Sequence, residues 1–245
     1  MKEHWLVIGA TSAIARACIR ELAQQGADVT LVGRDLSDLE ASASDARLRG
    51  AENARVLPCD VGDPHARQIL LEQALIEQTR LNVLVAVGLM PEQDTMDTDP
   101  ALLARMVEST YTGPMALLQG LAPHFERQAG GQVVVIGSVA GDRGRRKNYL
   151  YGSAKAGLAT YAEGLRARLF AAGATVTVVK PGFIDTAMTW GLPGLFLVSS
   201  PEDCAKAILK AAKKGQAVLY HPGFWRLIML IIRHIPPTIM KRLKF

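Results

Sequence analysis

The 245 residues are 49% hydrophobic and 21% charged, enough apolar content to bury the core of one α/β domain. The formal net charge is +5, and a C-terminal segment without Asp or Glu supplies the whole excess through Arg226, Arg233, Lys241, Arg242 and Lys244. The rest of the chain is neutral and has no basic stripe with interleaved aromatics, so nucleic acid is excluded as a partner. Cys18, Cys59 and Cys204 are few, odd in number and far apart, which fits a reducing cytoplasm. The start reads directly as a strand, with no cleavable leader expected.

The first apolar run, 5–9, opens into Gly9-Ala10-Thr11-Ser12-Ala13-Ile14-Ala15 and a helix near 14–25. Small residues in such a turn let the backbone approach a pyrophosphate, and the helix N-terminus adds amide donors and the positive end of its dipole. Gly9, Thr11, Ser12, Ala13 and Ile14 are therefore candidate cofactor contacts. Ala13 and Ala15 stand where a Gly-rich fingerprint has glycine, so an ordinary tight turn is the competing reading.

The second run, 28–33, ends in Gly33-Arg34-Asp35 ahead of a helix over 36–48. An acid at this strand tip binds a ribose 2′-OH, whereas an arginine accommodates a 2′-phosphate. Arg34 follows the strand directly and favours NADP(H). Asp35 is the rival contact, for NAD(H), or a cap for the next helix. After the third run, 54–58, Asp60-Val61 places a carboxylate where it can meet an adenine amine, before a helix over 64–78.

Further runs at 82–88, 132–137, 174–179 and 216–220 alternate with helices near 99–128, 149–172 and 201–214. Continuously apolar strands imply a sheet covered on both faces and hence parallel. The expected fold is a Rossmann-type doubly wound α/β sheet, one domain over 1–220 plus an apolar-basic tail over 221–245. Its ligand is expected at the carboxyl ends of the strands.

Ser138 ends the fifth run, and Tyr151-Gly152-Ser153-Ala154-Lys155 follows. Tyr and Lys four apart share one helix face. An ammonium beside a phenol, with a nicotinamide cation nearby, favours phenolate and is expected to lower the Tyr151 pKa toward a useful range, with Ser138 free to hydrogen-bond a substrate oxygen.

Together these pieces resemble the compact branch of the short-chain dehydrogenases/reductases over nearly the full length. The matching residues are the opening turn, Asp60-Val61, Ser138 with Tyr151 and Lys155, and Lys180-Pro181-Gly182-Phe183-Ile184-Asp185-Thr186. The resemblance implies Tyr151 as acid/base, Lys155 as ribose ligand that tunes Tyr151, Ser138 as carbonyl polariser, Ile184 and Thr186 on the nicotinamide carboxamide, and Gly88, Pro181 and Gly182 as further cofactor contacts. It also implies a homo-oligomer, dimer or tetramer. The chain departs from the family pattern at Ala86-Val87-Gly88-Leu89, and at Thr110, where the family has a catalytic Asn whose backbone carbonyl feeds a water chain to the Lys.

Asp142-Arg143-Gly144-Arg145-Arg146-Lys147 lies between Ser138 and Tyr151 and can bind a phosphate or carboxylate, or be a solvated loop or oligomer contact. The tail holds an uninterrupted apolar stretch from Leu227 to Ile232, too short for the ~20 residues of a bilayer span. It suits an interfacial helix, with Trp225, Leu227, Ile228, Ile231 and Ile232 entering lipid at the inner face of a membrane, or burial in protein. Three functions follow: an NADP(H) oxidoreductase of carbonyls or alcohols, a catalytically weak dinucleotide-binding sensor or scaffold, and a peripheral membrane enzyme acting on a lipid-linked ketone. The last is a narrower resemblance, to polyprenyl-phosphate keto-sugar reductases.

Overall fold

The computed structural model describes residues 2–75, 79–191 and 196–243. The end of the helix expected over 64–78 lies outside the described residues, as do Lys244 and Phe245 of the tail.

Seven parallel strands, β1 (Lys2–Ile8), β2 (Asp28–Gly33), β3 (Ala54–Pro58), β4 (Thr79–Val85), β5 (Gln132–Ile136), β6 (Thr175–Pro181) and β7 (Val218–His221), form one sheet. Their order is β3-β2-β1-β4-β5-β6-β7. The continuous apolar runs are explained by cores on both faces. Trp5, Val7 and Leu84 pack into one, while Leu6, Ile8, Val83 and Val85 pack into the other. The strand order reverses between β1 and β4, which opens a crevice at the carboxyl ends of those two strands.

Helices α1 (Ala13–Gln24), α2 (Leu36–Arg49) and α3 (Pro64–Gln73) connect the first four strands. Ser12 caps α1 by accepting from the Ala15 amide, and Asp63 caps α3 from the His65 amide. The expected 99–128 helix is instead α5 (Pro100–Val107), a π turn (Glu108–Thr112) and α6 (Gly113–Gln128), preceded by an unforeseen short α4 (Gln93–Thr98). Pro114 has no N–H for the Thr110 carbonyl four residues back, so the α-helical ladder cannot run across Thr110. A 3₁₀ turn (Val139–Asp142) then leads to α7 (Tyr149–Leu169), and α8 (Pro201–Lys213) precedes β7.

After β7 come α9 (Trp225–His234) and α10 (Pro237–Met240). The inner side of α9 docks on the domain, where Trp225 and Met229 are buried with Val139 against Phe183 and Tyr220. This corrects the expectation that Trp225 enters lipid. Leu227 (65% exposed), Leu230 and Ile231 (69% exposed) face outward, and Ile228 and Ile232 are half-buried against the body. Among the described residues no helix is long and apolar enough to cross a membrane.

Candidate active site

The β1 turn adopts a conformation that only glycine takes without strain. Gly9 has φ +82°, and a Cβ there would lie 2.7 Å from Val87 and 2.9 Å from the Ala86 backbone. The amides of Gly9 and Ala10 both donate to the Val32 carbonyl, at 2.9 and 3.0 Å, which locks the turn against β2. Thr11, Ser12, Ala13 and Ile14 line the entry to α1 at the crevice.

At the tip of β2, Asp35 caps α2 by accepting from the Asp38 amide. Its carboxylate is thus used within the fold. The Arg34 side chain is 70% exposed, and its guanidinium stands 3.9 Å from the Asp60 carboxylate, which also accepts from the Gly62 amide at 2.9 Å. A cation at this tip, loosely paired and open to solvent, suits a 2′-phosphate better than a bare ribose hydroxyl. Val61 beside it is buried.

The chemical centre lies beyond β5. Ser138 starts the 3₁₀ turn with its hydroxyl accepting from the Ala140 amide at 3.0 Å. Helix α7 packs so tightly on this turn that a Cβ on Gly152 would sit 2.7 Å from the Ala140 carbonyl. That contact, which the sequence reading missed, sets Ser138 against Tyr151; a glycine in the first turn of a helix that follows a catalytic serine was its only signal.

Tyr151 is 5% exposed and Lys155 is 3% exposed, with the Lys155 ammonium 5.9 Å from the Tyr151 ring centre. Among the described residues Lys155 has no acid partner. It donates to the Ile136 carbonyl at 2.8 Å and the Val87 carbonyl at 3.1 Å, at the ends of β5 and β4. Removal from water lowers its pKa to about 8. The protein's own groups do not lower the Tyr151 pKa: burial, which penalises the phenolate, pushes it up, and the Ser138 hydrogen bond pulls the other way. Tyr151 is therefore a neutral phenol with a proton to give.

Thr110 is fully buried in the π turn, and its hydroxyl accepts from the Leu89 amide at 3.0 Å, fixing the segment after β4. Gly88 lies in that segment, beside the Lys155 ammonium. At the end of β6, Pro181 and Ile184 are buried, and the Gly182 amide donates to the His221 carbonyl at 2.9 Å. The Thr186 amide donates to the Thr189 hydroxyl at 3.2 Å. A Cβ on Gly182 would land inside the Trp225 ring, a contact between the strand end and the tail that the sequence did not announce. In the run between Ser138 and Tyr151, Asp142 turns inward to Lys180 at 2.5 Å and to the Tyr220 hydroxyl at 2.6 Å, Arg143 and Arg145 are half-buried, and Arg146 is exposed.

A glycine turn at a switch-point crevice, a cationic second-strand tip and a buried Ser/Tyr/Lys group define a dinucleotide-dependent oxidoreductase. The sequence profile of the short chain dehydrogenases matches residues 3–193. An uncharacterized oxidoreductase encoded in the mprA 5′ region of Streptomyces coelicolor is 35% identical over 243 residues, covering 97% of this chain and 94% of the relative. An uncharacterized oxidoreductase of Mycobacterium tuberculosis is 32% identical over 239 residues, 97% of this chain and 96% of its own. In fold the chain is also similar to a short-chain dehydrogenase from Sphingobium yanoikuyae solved in complex with NADPH. That match has a TM-score of 0.81 at 24% identity and covers 96% of this chain and 97% of that one. The chain belongs to the short-chain dehydrogenase family, and it is a nicotinamide-dependent oxidoreductase acting on CH–OH and C=O groups.

Proposed function

We propose that the protein is an NADP(H)-dependent reductase of carbonyl compounds, with Tyr151 as proton donor. The observation that carries this reading is the buried, protonated Tyr151, hydrogen-bonded to Ser138 and 5.9 Å from the Lys155 ammonium. Residues 9–14 would hold the pyrophosphate and Arg34 the 2′-phosphate, with Asp60 and Val61 beside the adenine. Gly88, Pro181, Gly182, Ile184 and Thr186 would border the nicotinamide, which supplies hydride when bound.

The remaining work falls to this chain's own groups. Ser138 donates a hydrogen bond to the substrate oxygen and holds it toward Tyr151. As that oxygen gains negative charge, Tyr151 transfers its hydroxyl proton to it and leaves a hydroxyl on the product. The nearby Lys155 charge stabilises the phenolate that remains and holds the ribose. Thr110 acts as a positioning residue, fixing the backbone at Leu89, one residue beyond Gly88.

A lipophilic substrate, met at an anionic membrane surface, is favoured by the exposed apolar side chains that flank this site. Met188, Trp190 and Phe196 lie on the segment after β6, and Leu227, Leu230 and Ile231 lie on α9 beside Arg226 and Arg233. NADPH absorbance on a panel of ketones, with and without detergent, tests the function. Turnover that Tyr151→Phe abolishes while NADPH binding persists is expected. Most activity surviving in that variant, or no NADPH consumption with any carbonyl, would overturn it.

A further inference from the structure

A cleft of about 460 Å³ opens between the loop that precedes α7 and the C-terminal segment. The loop contributes Arg145 and Arg146, and the C-terminal segment contributes Lys241 together with the apolar side chains of Pro237, Met240 and Leu243. No acid lines it among the described residues. Asp142, the carboxylate nearest in sequence, is held by Lys180 and Tyr220; it attracts Arg145 from a distance but forms no ion pair with it. None of Arg145, Arg146 and Lys241 has an ion-pair partner among the described residues.

Two details mark this as more than a solvated charge run. The Nε of Arg145 is buried and has no partner among the described residues, so this N–H has given up water without gaining an acceptor there. The neighbouring Arg143 donates to the Ile235 carbonyl at 3.0 Å and joins the two walls of the cleft. Tyr149, held by its hydroxyl to Asp97 at 2.6 Å, forms the floor at the first residue of α7, just ahead of Tyr151.

We propose that this cleft binds the phosphate group of an amphiphilic ligand, held by Arg145, Arg146 and Lys241 with its apolar portion against Pro237, Met240 and Leu243. Three unpaired cations match a multiply charged phosphate ester better than a single carboxylate, and guanidinium forks are shaped for phosphate oxygens. The volume is that of a small-molecule site. The ligand is the carbonyl substrate itself, an extension that rests on the reductase reading above. This anion site is separate from the Arg34 tip. Arg34 ends β2 on one wing of the sheet, and the cleft lies past β5 on the other.

Calorimetric titration of dodecyl phosphate into the full-length protein saturated with NADP⁺ tests the cleft, with Arg146→Ala and Lys241→Ala as variants because both side chains are exposed and safe for folding. Each lost charged contact is expected to weaken binding about tenfold or more. Inorganic phosphate should compete, and uncharged dodecyl maltoside should not. Equal dodecyl phosphate affinity in the variants and the parent would overturn the proposal. So would loss of binding to phosphatidate vesicles in the variants with dodecyl phosphate unaffected, since that places the cations on a membrane surface. NADPH oxidation with a neutral ketone is measured alongside. If it is retained in the variants, the reductase reading stands whatever the titration shows; if it is absent in the parent, that reading fails while the titration still judges the cleft.

Discussion

Replacing Trp225 by Ala should loosen the whole C-terminal segment, and the size of the effect follows from its seat. The side chain is buried, edge-on to Phe183 with ring centres 5.3 Å apart, and close to Phe196 at 5.7 Å and Phe224 at 6.1 Å. A Trp side chain hides roughly 200 Å² of largely apolar surface, worth about 5 kcal/mol at ~25 cal/mol per Å². Its indole N–H finds no partner among the described residues, which takes back about 1–3 kcal/mol. The net loss is about 3 kcal/mol, within the usual range for truncating a buried aromatic. In a chain of this size, each kcal/mol moves the melting temperature by about 2–4 °C. Calorimetry should therefore show a fall of roughly 6–12 °C if the segment melts with the domain. If it undocks alone, trypsin should cut faster at Arg226 and Arg233 with a smaller shift. Trp225→Phe keeps ring contacts and removes the orphan donor, so it should stay within about 1 kcal/mol of the parent. An Ala variant with an unchanged melting curve and an equally resistant tail would refute the account of how α9 docks.

Three more outcomes are expected. Arg34→Ala should weaken NADPH about tenfold or more and leave NADH nearly unchanged, because one charged hydrogen-bond set is lost; fluorescence titrations that match for both cofactors in the parent would contradict this. Lys155, with its pKa lowered to about 8, loses its charge as pH rises through that value, so NADPH affinity should fall between pH 7 and 9, and a flat profile from 6.5 to 9.5 would remove Lys155 from the cofactor site. In vesicle sedimentation with anionic lipid, the full-length chain should bind and release with salt, whereas Leu230→Glu with Ile231→Glu should stay in solution; an oligomer broken by the same pair, without vesicle binding, would make the face a protein interface.

The strands were legible because burial on both faces writes them as unbroken apolar runs, and Ser138, Tyr151 and Lys155 because a strand end and a helical spacing of four place them without knowledge of the rest. What stayed hidden depends on distant partners. The break at Glu108–Thr112 has its cause in Pro114, yet its geometry depends on packing across the domain. The short α4 reads as polar loop, although Gln93 accepts from the Leu150 amide at 3.3 Å and helps to start α7. The tail's periodicity shows an amphipathic helix but not which side docks, since the seat of Trp225 is Gly182. The upward push on the Tyr151 pKa stayed hidden because spacing shows the nearby ammonium but not the burial of the phenol.

The anchoring of Asp142 has a bearing on how this scaffold could change its appetite. Lys180 and Tyr220 clamp the start of the arginine loop to β6 and β7, and the tight seat of Gly152 on the 3₁₀ turn fixes its end. Residues 143–148 thus span two anchored ends outside the loop, with Arg143 tying the span itself to the C-terminal segment. A different sequence grafted there can alter what the mouth recognises while Ser138 and Tyr151 keep their spacing. Selectivity and chemistry can therefore be exchanged independently in this chain.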